Sequence, residues 1–239
     1  MLSRSFSPTP SPNVPAFSGV SGVASRPAPA PNSSKKASPL AQYMQLAGAT
    51  MSFARNAEIF GENEPADYVY SVVSGSVRTY KILSDGRRQI SGFYLPGDVF
   101  GIEFGDDHAF SAEAITDSKV VVVKRGALNA LAERDPAIGR DLFAITGREL
   151  RRVQEHLILL VKTARERVVS FLLEMAERAG AEKVVALPMP RQDIADYLGL
   201  TIETVSRTLT SLEGSAAIDI LTSRRIALLN RTALNRLNG

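Results

Sequence analysis

Glu203, Ser206 and Arg207 stand at i, i+3 and i+4, so on a helix they share one face. Their chemistry suits the reading of nucleobases. An arginine offers a two-pronged donor matching guanine O6 and N7, a glutamate accepts from the amino group of cytosine, and a serine hydroxyl serves either way. The same spacing also fits a surface ion pair between Glu203 and Arg207 that merely supports its helix, worth ~0.2–0.5 kcal/mol. The surrounding elements decide between the two.

Those elements favour base reading. Pro190 opens a short helix whose Ile194, Ala195 and Leu198 face inward, and Gly199 ends it with the left-handed residue that a sharp reversal needs. Thr201 is an N-cap for a second helix running to Glu213, with Gly214 as its terminator. Within it Val205, Leu209 and Leu212 at i, i+4 and i+7 pack inward, which turns Glu203, Ser206 and Arg207 to solvent. Two helices joined by a tight glycine turn make a helix-turn-helix.

Little else on the chain could do chemistry. Its 239 residues hold no cysteine, which excludes disulfides, thiolate zinc sites, iron–sulfur clusters and thiol switches. The two histidines, His108 and His156, are too few for a triad or a histidine metal site, so neither catalytic nor metal-binding residues are expected. The longest apolar run, Leu157 to Val161, falls far short of the ~20 residues of a membrane span. The expected setting is a reducing cytoplasm. The net charge of +3 is uneven: residues 1–40 carry +4 with no acid, residues 41–161 carry −3 and residues 162–239 carry +2. The high isoelectric point, about 9.3, therefore owes much to the N-terminal segment and is weak support for nucleic-acid binding.

Four regions follow. Residues 1–40 hold eight of the thirteen prolines among serine and alanine and read as a disordered arm. Like an organelle transit peptide they are acid-poor and serine-rich, but they lack its amphipathic period. Residues 41–136 read as short antiparallel strands: Tyr68 to Leu83 in two strands around Gly75, an Asp85-Gly86 hairpin, Arg88 to Leu95, a Pro96-Gly97-Asp98 turn, and Lys119 to Lys124. This is the pattern of a jelly-roll type of β-roll. Residues 137–161 read as one long helix with Leu150, Val153, Leu157 and Leu160 in 3-4-3 spacing, and Leu142 with Ile145 or Thr146 continuing the stripe upward. Such a seam with charged flanks pairs with its twin more readily than it lies on the β domain, so it is read as a dimerisation helix. Residues 162–239 hold a further amphipathic helix, the helix-turn-helix and a short hairpin. The fold class is α+β.

The stretch from Glu203 to Arg207 resembles the E-x-x-S-R signature of the FNR and FixK branch of the CRP/FNR superfamily of bacterial transcription regulators, and the order of elements over residues 50–230 is similar to that family. Arg224-Arg-Ile-Ala-Leu resembles its wing hairpin; the glycine usual before Ile218 is replaced by Ala216-Ala217. The resemblance implies a homodimer on double-stranded palindromic DNA with TTG-type half-sites. Arg207 would contact the guanine, Glu203 the opposing cytosine, Ser206 a neighbouring base or phosphate, and Arg191, Gln192 and Thr201 the phosphates. It also implies an activator that recruits RNA polymerase at low-oxygen genes of nitrogen fixation, denitrification or microaerobic respiration.

The family's sensors can be set against this chain. A cysteine-held, oxygen-labile cluster is impossible here. Haem would need His108, in an acidic loop, or His156, on a helix surface where histidines are commonly solvated. Cyclic-nucleotide binders use a short helix and an arginine-serine pair to neutralise a phosphate. Phe110-Ser111 stands at that pair, with Asp106 and Asp107 nearby to repel an anion. The expectation is a regulator with no cofactor. A CRP-like regulator whose β-roll needs a small-molecule effector is the alternative, kept open by the Pro96-Gly-Asp and Gly101-Ile-Glu framework. A ligand-binding or interaction module with no DNA role is the third reading, and an enzyme the weakest.

Overall fold

The computed structural model describes residues 38–238; the expected arm over residues 1–40 otherwise lies outside them. Its last residues do not belong to an arm. Pro39–Ala47 forms a helix (α1), because Ser38 caps it, Pro39 suits its first turn and Leu40 and Met44 are buried beneath it.

Eight strands follow: β1 (Ala49–Phe53), β2 (Glu58–Phe60), β3 (Tyr68–Ser74), β4 (Val77–Ile82), β5 (Arg88–Tyr94), β6 (Val99–Phe100), β7 (Ser111–Ala114) and β8 (Ser118–Lys124). They pair antiparallel in two four-stranded sheets, ordered β1-β8-β3-β6 and β2-β7-β4-β5, as the alternating pattern predicts. Phe60, Tyr70, Val72, Val77, Phe100, Ala112 and Val120 form the core of this β-roll. Gly75, at φ +84°, turns β3 into β4 where a Cβ would stand 2.3 Å from the Ser118 hydroxyl. Gly86 supplies the positive φ of the β4–β5 hairpin.

Two helices come next. α2 (Arg125–Arg134), absent from the sequence reading, runs directly from β8, and α3 (Pro136–Leu159) is the expected long helix, with Asp135 capping its first turn. After a short joint, α4 (Ala164–Arg178) opens on a complete capping box between Thr163 and Glu166. β9 (Val184–Ala186), α5 (Arg191–Leu198), α6 (Ile202–Gly214), β10 (Ile218–Thr222), β11 (Arg225–Leu228) and α7 (Arg231–Leu237) complete the chain, with β10-β11-β9 as a small antiparallel wing.

One core runs through both halves. Ile90, Phe93 and Ile115 of the β-roll are buried with Phe171, Leu172, Tyr197, Val205 and Leu209 of the C-terminal helices. The Phe93 ring centroid lies 5.2 Å from that of Tyr197 and 6.0 Å from that of Phe171. The helix-turn-helix is thus packed against the β4–β5 hairpin, which the sequence could not show.

Candidate DNA-reading surface

α5 and α6 form as the local sequence directs. Gly199, at φ +62°, closes α5 and reverses the chain. Thr201 Oγ1 accepts the Thr204 amide hydrogen at 3.2 Å, satisfying one open donor at the start of α6. Ile194, Ala195 and Leu198 of α5 and Val205, Leu209 and Leu212 of α6 are buried, as their spacing predicts. The expected terminator is corrected: Gly214 stays helical, and Ala216, at φ +53°, takes the left-handed position two residues later. The Ala216 amide still donates to the Glu213 carbonyl, so the helical turn runs past Gly214 before the chain reverses.

Glu203 and Arg207 are exposed on the outer face of α6 and Ser206 is half-buried beside them. No ion pair joins Glu203 to Arg207 among the described residues, so neither head group is held by the other. The Glu203 carboxyl is held below the usual glutamate range by its own backbone amide and the Thr201 hydroxyl, with Arg207 adding to the effect. It is a charged acceptor at neutral pH. Of the phosphate-side candidates, Thr201 is exposed but engaged in its cap. Gln192 is exposed and donates to Asp196 Oδ1 at 2.7 Å. Arg191, half-buried at the first turn of α5, has its pKa lowered by burial against a partial offset from Glu213.

α3 divides its apolar residues between two faces. Leu150, Val153, Leu157 and Leu160 are 41–59% exposed, an uncovered apolar stripe on a helix that buries only Ile138 and Leu159. Leu142 is placed elsewhere. With Ile145 it is half-buried against the cluster of Leu40, Val69, Leu128 and Ile138, so it faces its own β-roll and α1. Phe143, 81% exposed and seven residues before Leu150, continues the stripe instead, and Val161 ends it at 86%. Rotation by one residue separates the two readings, and the packing of the β-roll, α1 and α2 against one side of α3 distinguishes them.

Neither histidine is fully exposed. His108 is buried, stacked on Phe60 with ring centroids 3.6 Å apart, and its Nδ1 lies 3.7 Å from Glu103. His156 is half-buried over Tyr197 at 4.4 Å, and burial, with the nearby Arg167, lowers its pKa. The β-roll segment from Gly101 to Phe110 contains no helix. Beside it a cleft of about 340 Å³ is lined by Ile102, Glu103, Arg125, Leu142 and Thr146. Arg125 is already engaged, donating to the carbonyls of Gly105 and Glu103 and pairing with Asp106. Among the described residues no cluster of three or more acidic or histidine side chains could hold a metal, and no helix is long and apolar enough to cross a membrane.

A β-roll, a long helix and a winged helix-turn-helix with an open acid–base pair on its second helix define a class of DNA-binding regulator. Residues 50–135 match the cyclic nucleotide-binding domain family and residues 166–237 the Crp-like helix-turn-helix domain family. The chain belongs to the CRP/FNR family of transcription regulators, which is not a family of enzymes. More narrowly it is of the FixK type. It is 53% identical over 205 residues to the nitrogen fixation regulation protein FixK of Azorhizobium caulinodans, covering 83% of each chain. It is 42% identical over 181 residues to the protein of the same name from Rhizobium meliloti, covering 75% of this chain and 82% of that one. The structure of FixK2 from Bradyrhizobium japonicum superposes with a TM-score of 0.77 at 50% identity, over 80% of this chain and 98% of that one.

Proposed function

We propose that the protein is a cytoplasmic homodimeric transcription activator that reads a TTG-type palindrome and acts without a bound cofactor. Each subunit lays α6 in a major groove. Arg207 forks onto guanine, Glu203 accepts from the opposing cytosine, and Ser206 meets a neighbouring base or phosphate. Arg191, Gln192 and Thr201 contact phosphates and set the register. The exposed stripe of Leu150, Val153, Leu157 and Leu160, with Phe143 added and Leu142 removed, pairs with its copy so that two recognition helices stand side by side. RNA polymerase is the further partner. The targets are low-oxygen genes of nitrogen fixation, denitrification or microaerobic respiration, a reading supported by the names of the FixK relatives.

The observation that carries this reading is the exposure of Glu203 and Arg207, free of any salt bridge among the described residues, on a helix whose underside is buried. Both charged groups are presented outward and neither is in such a bridge, Glu203 being held by its own amide and the Thr201 hydroxyl. The experiment is titration of the full chain against a TTG-type palindrome, base-substituted palindromes and random DNA at fixed salt. Arg207→Ala should cost ~1–3 kcal/mol on the palindrome and relax discrimination at one base pair. Equal loss on specific and random DNA would exclude base reading. The alternative, an effector-gated β-roll, is favoured by the family match over residues 50–135. Heat on calorimetric titration with cyclic nucleotides, together with tighter operator binding, would establish it.

A further inference from the structure

Five charged side chains meet where the β-roll touches the helix-turn-helix. Asp193, on the first turn of α5, is almost wholly buried between two arginines. Arg78 of β4 donates to Asp193 Oδ2 at 2.6 Å and Arg88 of β5 to Asp193 Oδ1 at 2.5 Å. Arg78 also pairs with Glu113, its register neighbour on β7, at 2.7 Å. Arg88 reaches on to Asp196, three residues along α5, with its Nε at 2.9 Å. One carboxylate therefore sits in a pincer whose jaws are both strands of a single hairpin, and each jaw is anchored to a second acid.

The far end of α5 is held as well. Arg167 of α4 donates to the Leu198 carbonyl at the end of α5, and to the carbonyls of Leu160 and Lys162 in the joint after α3, at 2.6–3.0 Å. Gln89, next to Arg88, reaches the Tyr197 carbonyl. α5 is thus tied to the β-roll by its first turn and to the α3–α4 joint by its last. Since α5 and α6 share a core, the angle of α5 is the angle of α6.

Apolar packing of Ile90 and Phe93 against Tyr197 and Phe171 would hold these parts together without a unique register. Ion pairs between planar forks and carboxylates are directional. Buried ion pairs add little to stability compared with apolar groups of the same size, and their better-attested use is to select one arrangement among several.

We propose that Arg78, Arg88, Asp193 and Asp196 are positioning residues for operator recognition. They set the angle at which the helix-turn-helix stands on the β-roll, and so the spacing between half-sites that the dimer accepts. The inference rests on the palindrome reading above. A dimer with rigidly held recognition helices binds its second half-site at a high effective concentration; one with swinging helices loses that advantage but keeps its affinity for each half-site.

The test is fluorescence anisotropy of the full chain on palindromes whose half-site separation is varied one base pair at a time, and on DNA with a single half-site. Sedimentation and circular dichroism of the same samples report dimer and fold. The wild type should peak at one separation. Arg88→Met, on the β-roll and not among the residues assigned to DNA, should bind the best palindrome about ten-fold more weakly, keep single half-site affinity within about two-fold, and give a flatter spacing profile. Arg88→Lys, which keeps the charge without the fork, should fall between them. Should Arg88→Met not fold, Asp193→Asn tests the same pincer from the other side. A wild-type spacing profile in a folded variant overturns the inference, as does an equal loss on single and double half-sites, which would make the cluster merely structural. A dimeric wild type that prefers no palindrome overturns the reading beneath it instead.

Discussion

Replacing Leu157 by alanine should divide the dimer without harming the subunit. Leu157 belongs to none of the buried clusters and is 59% exposed in the single chain, so its loss leaves no cavity in the fold. In a paired α3 that exposed part is covered by the partner's helix. The substitution removes three carbons; at ~0.8 kcal/mol per buried CH₂, scaled by the exposed share, about 1.4 kcal/mol is lost per protomer. A two-fold axis applies the loss twice, giving about 2.8 kcal/mol and a dissociation constant raised ~100-fold. Sedimentation velocity across a dilution series measures that constant directly, and thermal unfolding at high concentration checks that the subunit is intact. A dissociation constant changed by less than about three-fold would show that α3 does not pair through this face. A large loss of subunit stability would show that Leu157 is held within its own chain.

Ala216→Gly relieves a left-handed alanine, which costs roughly 1–2 kcal/mol in that conformation, against about 0.5–1 kcal/mol of extra unfolded-chain entropy. A rise of a few degrees in melting temperature is expected, and a fall would refute the strain assignment. His156 is favoured in its neutral form by burial and Arg167, so the unfolded chain binds more protons below pH 6.5, its ordinary value, than the folded one. Stability conferred by neutral His156 is complete above 6.5 and is lost as pH falls towards its lowered folded value. His156→Gln should remove that loss, so the wild-type-minus-variant difference in unfolding free energy should be flat above 6.5 and decline below it. A difference that stays flat down to about pH 5 would refute the assignment.

The sequence by itself determined the helix-turn-helix, the long α3, much of the strand pattern and which face of α6 turns outward. Caps, turns and periods act between near neighbours: Thr201 caps α6, Gly199 closes α5, Asp85-Gly86 turns a hairpin, and Val205, Leu209 and Leu212 aim Glu203 and Arg207 outward. What lay beyond reach was everything set by partners distant in the chain. Arg78 and Arg88 meet Asp193 across 115 and 105 residues, and no local period records such a meeting. Leu142 and Phe143 are adjacent apolar residues on one helix; the β-roll, α1 and α2 cover the first and leave the second bare. His108 read as a residue of an acidic loop and His156 as a helix-surface group, and only the fold stacks them on Phe60 and Tyr197. Short-range backbone chemistry writes itself into spacing, whereas burial and ion pairing depend on which surfaces the folded chain brings together.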